Sequence, residues 1–195
     1  MENELIKHIS KFITLNDEEA KVLAEHNPVR RFKKGAELLR KGEIAEKCWF
    51  VLKGYVRQYR IIDGSEKTTF FYTEHQAIAP TSSYENQIPS EYYLSCIEDT
   101  VASVTNLRTI PKMFKKYPKF ESLSLIFMEQ DYGQTKDSFA NFKTSSPEDR
   151  YLHLLETRPD LLRRVPQHYI ASYIGVTPES LSRIRKRISE RCTNN

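Results

Sequence analysis

The sequence predicts an α+β protein: a β-rich N-terminal domain, one long helix, and a small helical domain at the C-terminus. Three observations carry that expectation. Between Phe32 and Leu107, short β-rich runs are punctuated by glycine. Apolar residues recur at alternating spacings of three and four between Leu125 and Phe142. Two short helical patterns joined at Gly175 then close the chain, and the second is strongly basic.

Bulk properties narrow the class. At 195 residues the chain can bury a real core, as one large domain or two small ones. Its 39% hydrophobic and 29% charged composition is ordinary for a soluble globular protein. No run approaches the length of a membrane-spanning helix, and the start Met1-Glu2-Asn3-Glu4 lacks a secretory pattern. A cytoplasmic protein is expected, with Cys48, Cys96 and Cys192 as separate reduced thiols and no metal-ligand spacing.

The N-terminal residues read as short helices. Leu5, Ile9 and Phe12 share a face, and Asn16 with Glu19 has the spacing of a capping box. In the β region, Trp49–Leu52, Tyr55–Ile61 and Thr68–Tyr72 are candidate strands, and Tyr92–Leu94 and Thr100–Val104 continue the pattern. Val56 alternates with Arg57, and Tyr59 with Arg60, as in half-buried strands. Asp63-Gly64 marks a hairpin, because a primed turn needs positive φ at both central residues. Short strands about ten residues apart indicate a sandwich or barrel.

A long helix is expected from Pro118 to about Phe142. Its stripe of Leu125, Met128, Tyr132, Thr135, Phe139 and Phe142 suits a seam between two copies, or simple packing on the helix's own β domain. Ser146 can cap the following helix, with Pro147 at its first position and Asp149 in its first turn.

The segment Val165–Ile188 carries most of the functional signal. A first helix from about Gln167 to Ile174 ends at Gly175; Thr177 caps a second, Pro178 starts it, and Glu179 lies near its positive end. Leu181, Ile184 and Ile188 recur at i, i+3 and i+7 and must face inward. That leaves Thr177, Glu179, Ser182, Arg183, Lys186 and Arg187 pointing broadly outward. Between Arg183 and Arg191 five cations stand against one acid, Glu190. Such a face can hydrogen-bond base edges from its first turns and phosphates from its later ones, as a helix-turn-helix does. Arg183 has the fork for guanine O6 and N7, and Glu179 can accept from cytosine N4. An ordinary helical hairpin with a solvated basic face has the same pattern.

At these residues the chain resembles the Crp/Fnr (cyclic-AMP receptor/Fnr) transcription regulators over nearly its whole length. Phe32–Glu43, with Lys34-Gly35 and Lys41-Gly42-Glu43, followed by Trp49–Arg57, is similar to the start of that family's cyclic-nucleotide-binding β-roll, a double-stranded β-helix. The resemblance implies a sensor domain over 1–117, a dimerisation helix over 118–144 and a helix-turn-helix domain over 145–195. It implies a homodimer through the helix bearing Leu125, Met128, Tyr132 and Phe139, bound to double-stranded DNA. It also implies base reading by Glu179 and Arg183 and a phosphate contact at Ser180.

Two departures bear on function. Members that bind cyclic nucleotides carry a Gly-Glu pair and, about ten residues later, an arginine followed by Ser or Thr. Here no arginine occurs between Gln76 and Leu107. A buried phosphate without a cation is strongly disfavoured, so cyclic AMP is not expected. An effector, if any, is left to a pocket touching Tyr84, Tyr92 or Tyr93, and no cofactor is implied. In the reading helix, Pro178 stands where arginine is common, and Asn195 follows too soon for the usual β-wing. Affinity is then expected to lean on Arg185, Lys186, Arg187 and Arg191.

Catalysis is not expected. His8, His26, His75, His153 and His168 are scattered, outside any metal or nucleophile signature. The rival non-enzymatic reading is a small-molecule-binding β-roll whose helical tail serves protein contact.

Overall fold

The computed structural model describes residues 4–193 and divides into two compact units. Among the described residues, one comprises 4–58 and 71–132; the other comprises 59–70 and 133–193.

The strands form two four-stranded sheets. One has the order β1-β8-β3-β6, from Val29–Phe32, Thr100–Asn106, Lys47–Lys53 and Ala77–Ile78. The other has the order β2-β7-β4-β5, from Glu37–Leu39, Tyr93–Cys96, Val56–Ile62 and Ser65–Tyr72. Strand β3 explains why Trp49–Leu52 reads as an unbroken apolar run. Trp49 and Val51 point into the β core with Leu39, Val56, Leu94 and Ala102. Leu52 joins a second cluster, packing with Phe50 against Leu5, Ile9, Leu23, Phe120 and Leu123. Those residues come from helices α1 (Glu4–Ile9) and α2 (Asp17–His26) and from the start of a long helix, α5 (Pro118–Thr144).

The α2 capping box is present. Asn16 Oδ1 accepts from the Glu19 amide at 2.9 Å, and Glu19 Oε2 accepts from the Asn16 amide at 2.8 Å. Helix α1 stops at Ile9, so Phe12 leaves the expected apolar face and is 40% exposed. His8 of α1 instead stacks on His75, with ring centroids 4.2 Å apart. Burial, then the charges of His75 and Lys11, hold His8 below the ordinary histidine pKa.

The β4–β5 hairpin has positive φ at both Asp63 (50°) and Gly64 (72°), as the Asp-Gly pair requires. Expected alternation along β4 holds for Tyr59 and Arg60 but fails at Arg57. Val56 and Arg57 are both buried, at 0% and 1% exposure. A short helix, α3 (Thr81–Asn86), stands inside the stretch read as β-rich, and another, α4 (Ile110–Lys116), precedes α5.

The second unit holds the hairpin tip, the C-terminal part of α5 and four helices: α6 (Pro147–Thr157), α7 (Pro159–Arg164), α8 (Gln167–Tyr173) and α9 (Pro178–Thr193). Ser146 caps α6 by accepting from the Asp149 amide at 3.2 Å, with Pro147 in the first turn. The described residues from 145 onward contain no strand. No helix among the described residues is long and apolar enough to cross a membrane.

Candidate nucleic-acid interface

The turn between α8 and α9 is built from backbone chemistry. The Val176 amide donates to the Ala171 carbonyl at 2.9 Å, and the Gly175 amide donates to the Ser172 carbonyl at 3.2 Å. Those two bonds make a Schellman ending, which needs a left-handed residue at Gly175 (φ +77°). A side chain there would cost about 1–2 kcal/mol in backbone strain alone. Its Cβ would also meet Phe142 at 3.1 Å and Arg150 at 3.2 Å.

Arg150, a residue the sequence reading missed, is a brace for this turn. Its Nη1 donates to the Ile174 carbonyl at 2.6 Å, its Nε donates to the Ser145 carbonyl at 3.2 Å, and its guanidinium lies 4.1 Å from the Phe142 ring centroid. No sequence spacing announces it, because its target lies 24 residues away.

Helix α9 is fixed by its inner face. Leu181 (1% exposed) and Ile184 (5%) are buried, as are Ile170, Ala171 and Ile174 of the preceding helix and turn, and α8 packs on α9. Burial of a Leu or Ile side chain contributes about 1.5–3 kcal/mol, enough to set the rotation of a 16-residue helix about its axis. Thr177 closes the N-terminus: its Oγ1 accepts from the Ser180 amide at 3.2 Å.

With that rotation set, Glu179, Ser182, Arg183 and Lys186 are all exposed on the opposite face. Ser180 does not share that outward position. It is half-buried on the flank, and its hydroxyl lies within bonding distance of Thr177 Oγ1 (3.2 Å) and Arg183 Nη2 (3.4 Å). Thr177 is exposed, yet its hydroxyl is committed to the cap. The Glu179 carboxyl is held below the ordinary glutamate pKa by its own backbone amide, then by Thr177 and the Arg183 charge. It therefore presents an acceptor at neutral pH.

The flank differs from expectation. Arg187 is exposed but not free to solvent: its Nη2 lies 2.9 Å from Glu148 Oε2. Arg191 Nη1 lies 2.6 Å from Glu148 Oε1. Lys186 stands 3.8 Å from Glu190, one turn on. Three of the four cations expected to carry phosphate contacts are thus already paired within the protein, two of them with Glu148.

In the first unit, Tyr84, Tyr92 and Tyr93 are half-buried, and Tyr92 packs against the β core. They do not line either of the two cavities described in this structure, both of which lie in the second unit. The segment matching the expected phosphate site is tied by hydrogen bonds within itself and to residues 42–45. Ser83 Oγ accepts from the Ala45 amide and donates to the Ile88 carbonyl, while Ser90 exchanges backbone bonds with Gly42 and Glu43. Burial pushes the Cys48 thiol up to about 11 and also raises Cys96, so neither is a reactive thiolate. The Cys192 side chain lies outside the described residues.

Residues 29–117 match the cyclic nucleotide-binding domain family. No curated protein matches the chain in sequence. Among solved structures, FixK2 from Bradyrhizobium japonicum is 17% identical, with 85% of each chain covered and a TM-score of 0.68. A CooA variant from Carboxydothermus hydrogenoformans is 16% identical, covering 98% of this chain and 86% of that one, with a TM-score of 0.70. The c-di-GMP-responsive global regulator CLP of Xanthomonas campestris is 15% identical, covering 88% of this chain and 90% of that one, with a TM-score of 0.67. At such identities the likeness is one of fold.

Proposed function

We propose that this chain, whose residues 29–117 form a cyclic nucleotide-binding domain and whose fold is that of the Crp/Fnr-type regulators, is a dimeric, sequence-specific DNA-binding regulator of transcription. The carrying observation is the outer face of α9. Glu179, Ser182, Arg183 and Lys186 stand side by side in solvent while Leu181 and Ile184 hold the helix from behind. Acceptor, hydroxyl and guanidinium groups in the first two turns suit base edges, and the cations beyond them suit phosphates. Thr177 and Ser180 shape the start of this surface, with Ser180 at its phosphate-facing edge.

Support for the dimer is the stripe on α5. Leu125 (54% exposed), Met128 (60%), Tyr132 (71%) and Phe139 (60%) leave a line of large apolar side chains in water. A second copy of the same helix would cover them. Two reading helices related by a dyad then face half-sites about one helical turn apart.

The reading is tested by selection. The full chain, immobilised and challenged with fragmented genomic DNA, is expected to enrich a two-fold symmetric site with half-sites centred about 10 base pairs apart. Enrichment of no common sequence would contradict it.

For the sensor domain, cyclic AMP and cyclic GMP are not expected as effectors, because residues 76–107 offer no arginine to the cyclic phosphate. Titration calorimetry should register no binding of either at micromolar concentration. Micromolar binding would overturn that expectation and direct attention to Arg57, the arginine buried among the strands. An effector pocket at Tyr84, Tyr92 and Tyr93 remains a proposal of the same kind.

A further inference from the structure

Glu148 sits in the first turn of α6, and its two carboxylate oxygens are each committed to a different cation of α9. The acid is recessed, with its side chain 19% exposed, whereas Arg187 and Arg191 are 57% and 68% exposed. It lies in the wall of a cleft of about 740 Å³, shared with Ser180, Arg183 and Lys186. Arg187 lines the same cleft, and both arginines are exposed enough to be reached by a large anion, while their present partner is recessed.

We propose that Glu148 is a specificity-determining residue: by occupying Arg187 and Arg191, it lowers binding to bulk DNA more than binding to the cognate site. The inference rests on the DNA reading of α9. A phosphate reaching these arginines must compete with a carboxylate rather than with water. Taking both cations from a recessed acid would leave an unpaired charge, which costs more than the exposed pair contributes. Non-specific binding consists almost wholly of phosphate contacts, so it loses the larger share when two cations are engaged. Cognate binding keeps its base contacts through Glu179 and Arg183, whose side chains do not touch Glu148 in the bonds described. A purely structural role for Glu148, pinning α6 to α9, predicts the opposite: its removal would loosen the unit and gain nothing on DNA.

The test uses the full chain and its Glu148→Gln variant, with fluorescence anisotropy on the selected duplex and on a random-sequence duplex of equal length. Glu148→Gln leaves the α6 cap intact, since Ser146 is served by Asp149. The variant is expected to bind random duplex roughly three- to tenfold more tightly at 50 mM salt, with a log–log salt slope steeper by about one to two. The selected duplex should gain less. Arg191→Gln should weaken random-duplex binding more in the Glu148→Gln background than in the native chain. Unchanged or weaker binding with an unchanged slope would overturn the inference, as would equal cost of Arg191→Gln in both backgrounds. Should Glu148→Gln fail to fold by circular dichroism, Arg191→Gln alone decides. Less than a twofold loss on random duplex supports the inference, and a larger loss overturns it. If the native chain binds no duplex at any salt, the DNA reading itself fails and carries this inference with it.

Discussion

Replacing Arg183 by glutamate is expected to weaken binding to the selected site by more than a hundredfold, with no measurable change in folding or in oligomeric state. The magnitude follows from what is lost. A bidentate contact to guanine is worth about 1–3 kcal/mol of discrimination, and a new carboxylate in its place repels the adjacent phosphates. The protein itself loses little, because Arg183 is exposed and its described bond is a 3.4 Å contact to Ser180. Circular dichroism and gel filtration should therefore match the native chain while DNA retention disappears. Retained binding at native affinity would remove α9 from the interface.

A second large effect is expected from the α5 stripe. Met128→Glu combined with Tyr132→Glu places two carboxylates where the proposed seam would bury them. Desolvating an unpaired carboxylate is costly enough to prevent association. Both side chains are exposed in the single chain, at 60% and 71%, so the monomer should fold unchanged. Sedimentation should shift from dimer to monomer. Affinity for the symmetric site should fall about a hundredfold or more, because the second half-site contact is no longer intramolecular. A dimer that persists would assign the seam to another surface.

What could be read from the sequence was local backbone chemistry. The Asn16–Glu19 box, the Asp63-Gly64 turn, the Ser146-Pro147-Asp149 start and the Gly175 corner each lie within a few residues of their partners. Their geometry follows from residue type and spacing alone. Leu181 and Ile184 of the expected inward set of α9 were legible for the same reason, since they share a helical face and are buried, whereas Ile188, the third member, is only half-buried.

The features that escaped are those made by distant segments. Arg57 alternates with Val56 as a solvent-facing residue should, and only tertiary packing buries it. Arg150 reaches a carbonyl 24 residues away, and Glu148 reaches Arg191 across 43. Phe12 was placed on a helical face by spacing, but α1 ends before it. Charge counting showed that the C-terminal helix is basic; it could not show that a recessed acid from α6 already holds two of those charges.

Guanine N7 lies in the major groove, so methylation protection on the selected duplex reads the position of α9 directly. The native chain is expected to protect guanine N7 in both half-sites, and Arg183→Ala should lift protection at one symmetry-related pair of guanines while leaving the others. Protection confined to the minor groove, or a pattern indifferent to Arg183, would contradict the claim that this helix enters the duplex.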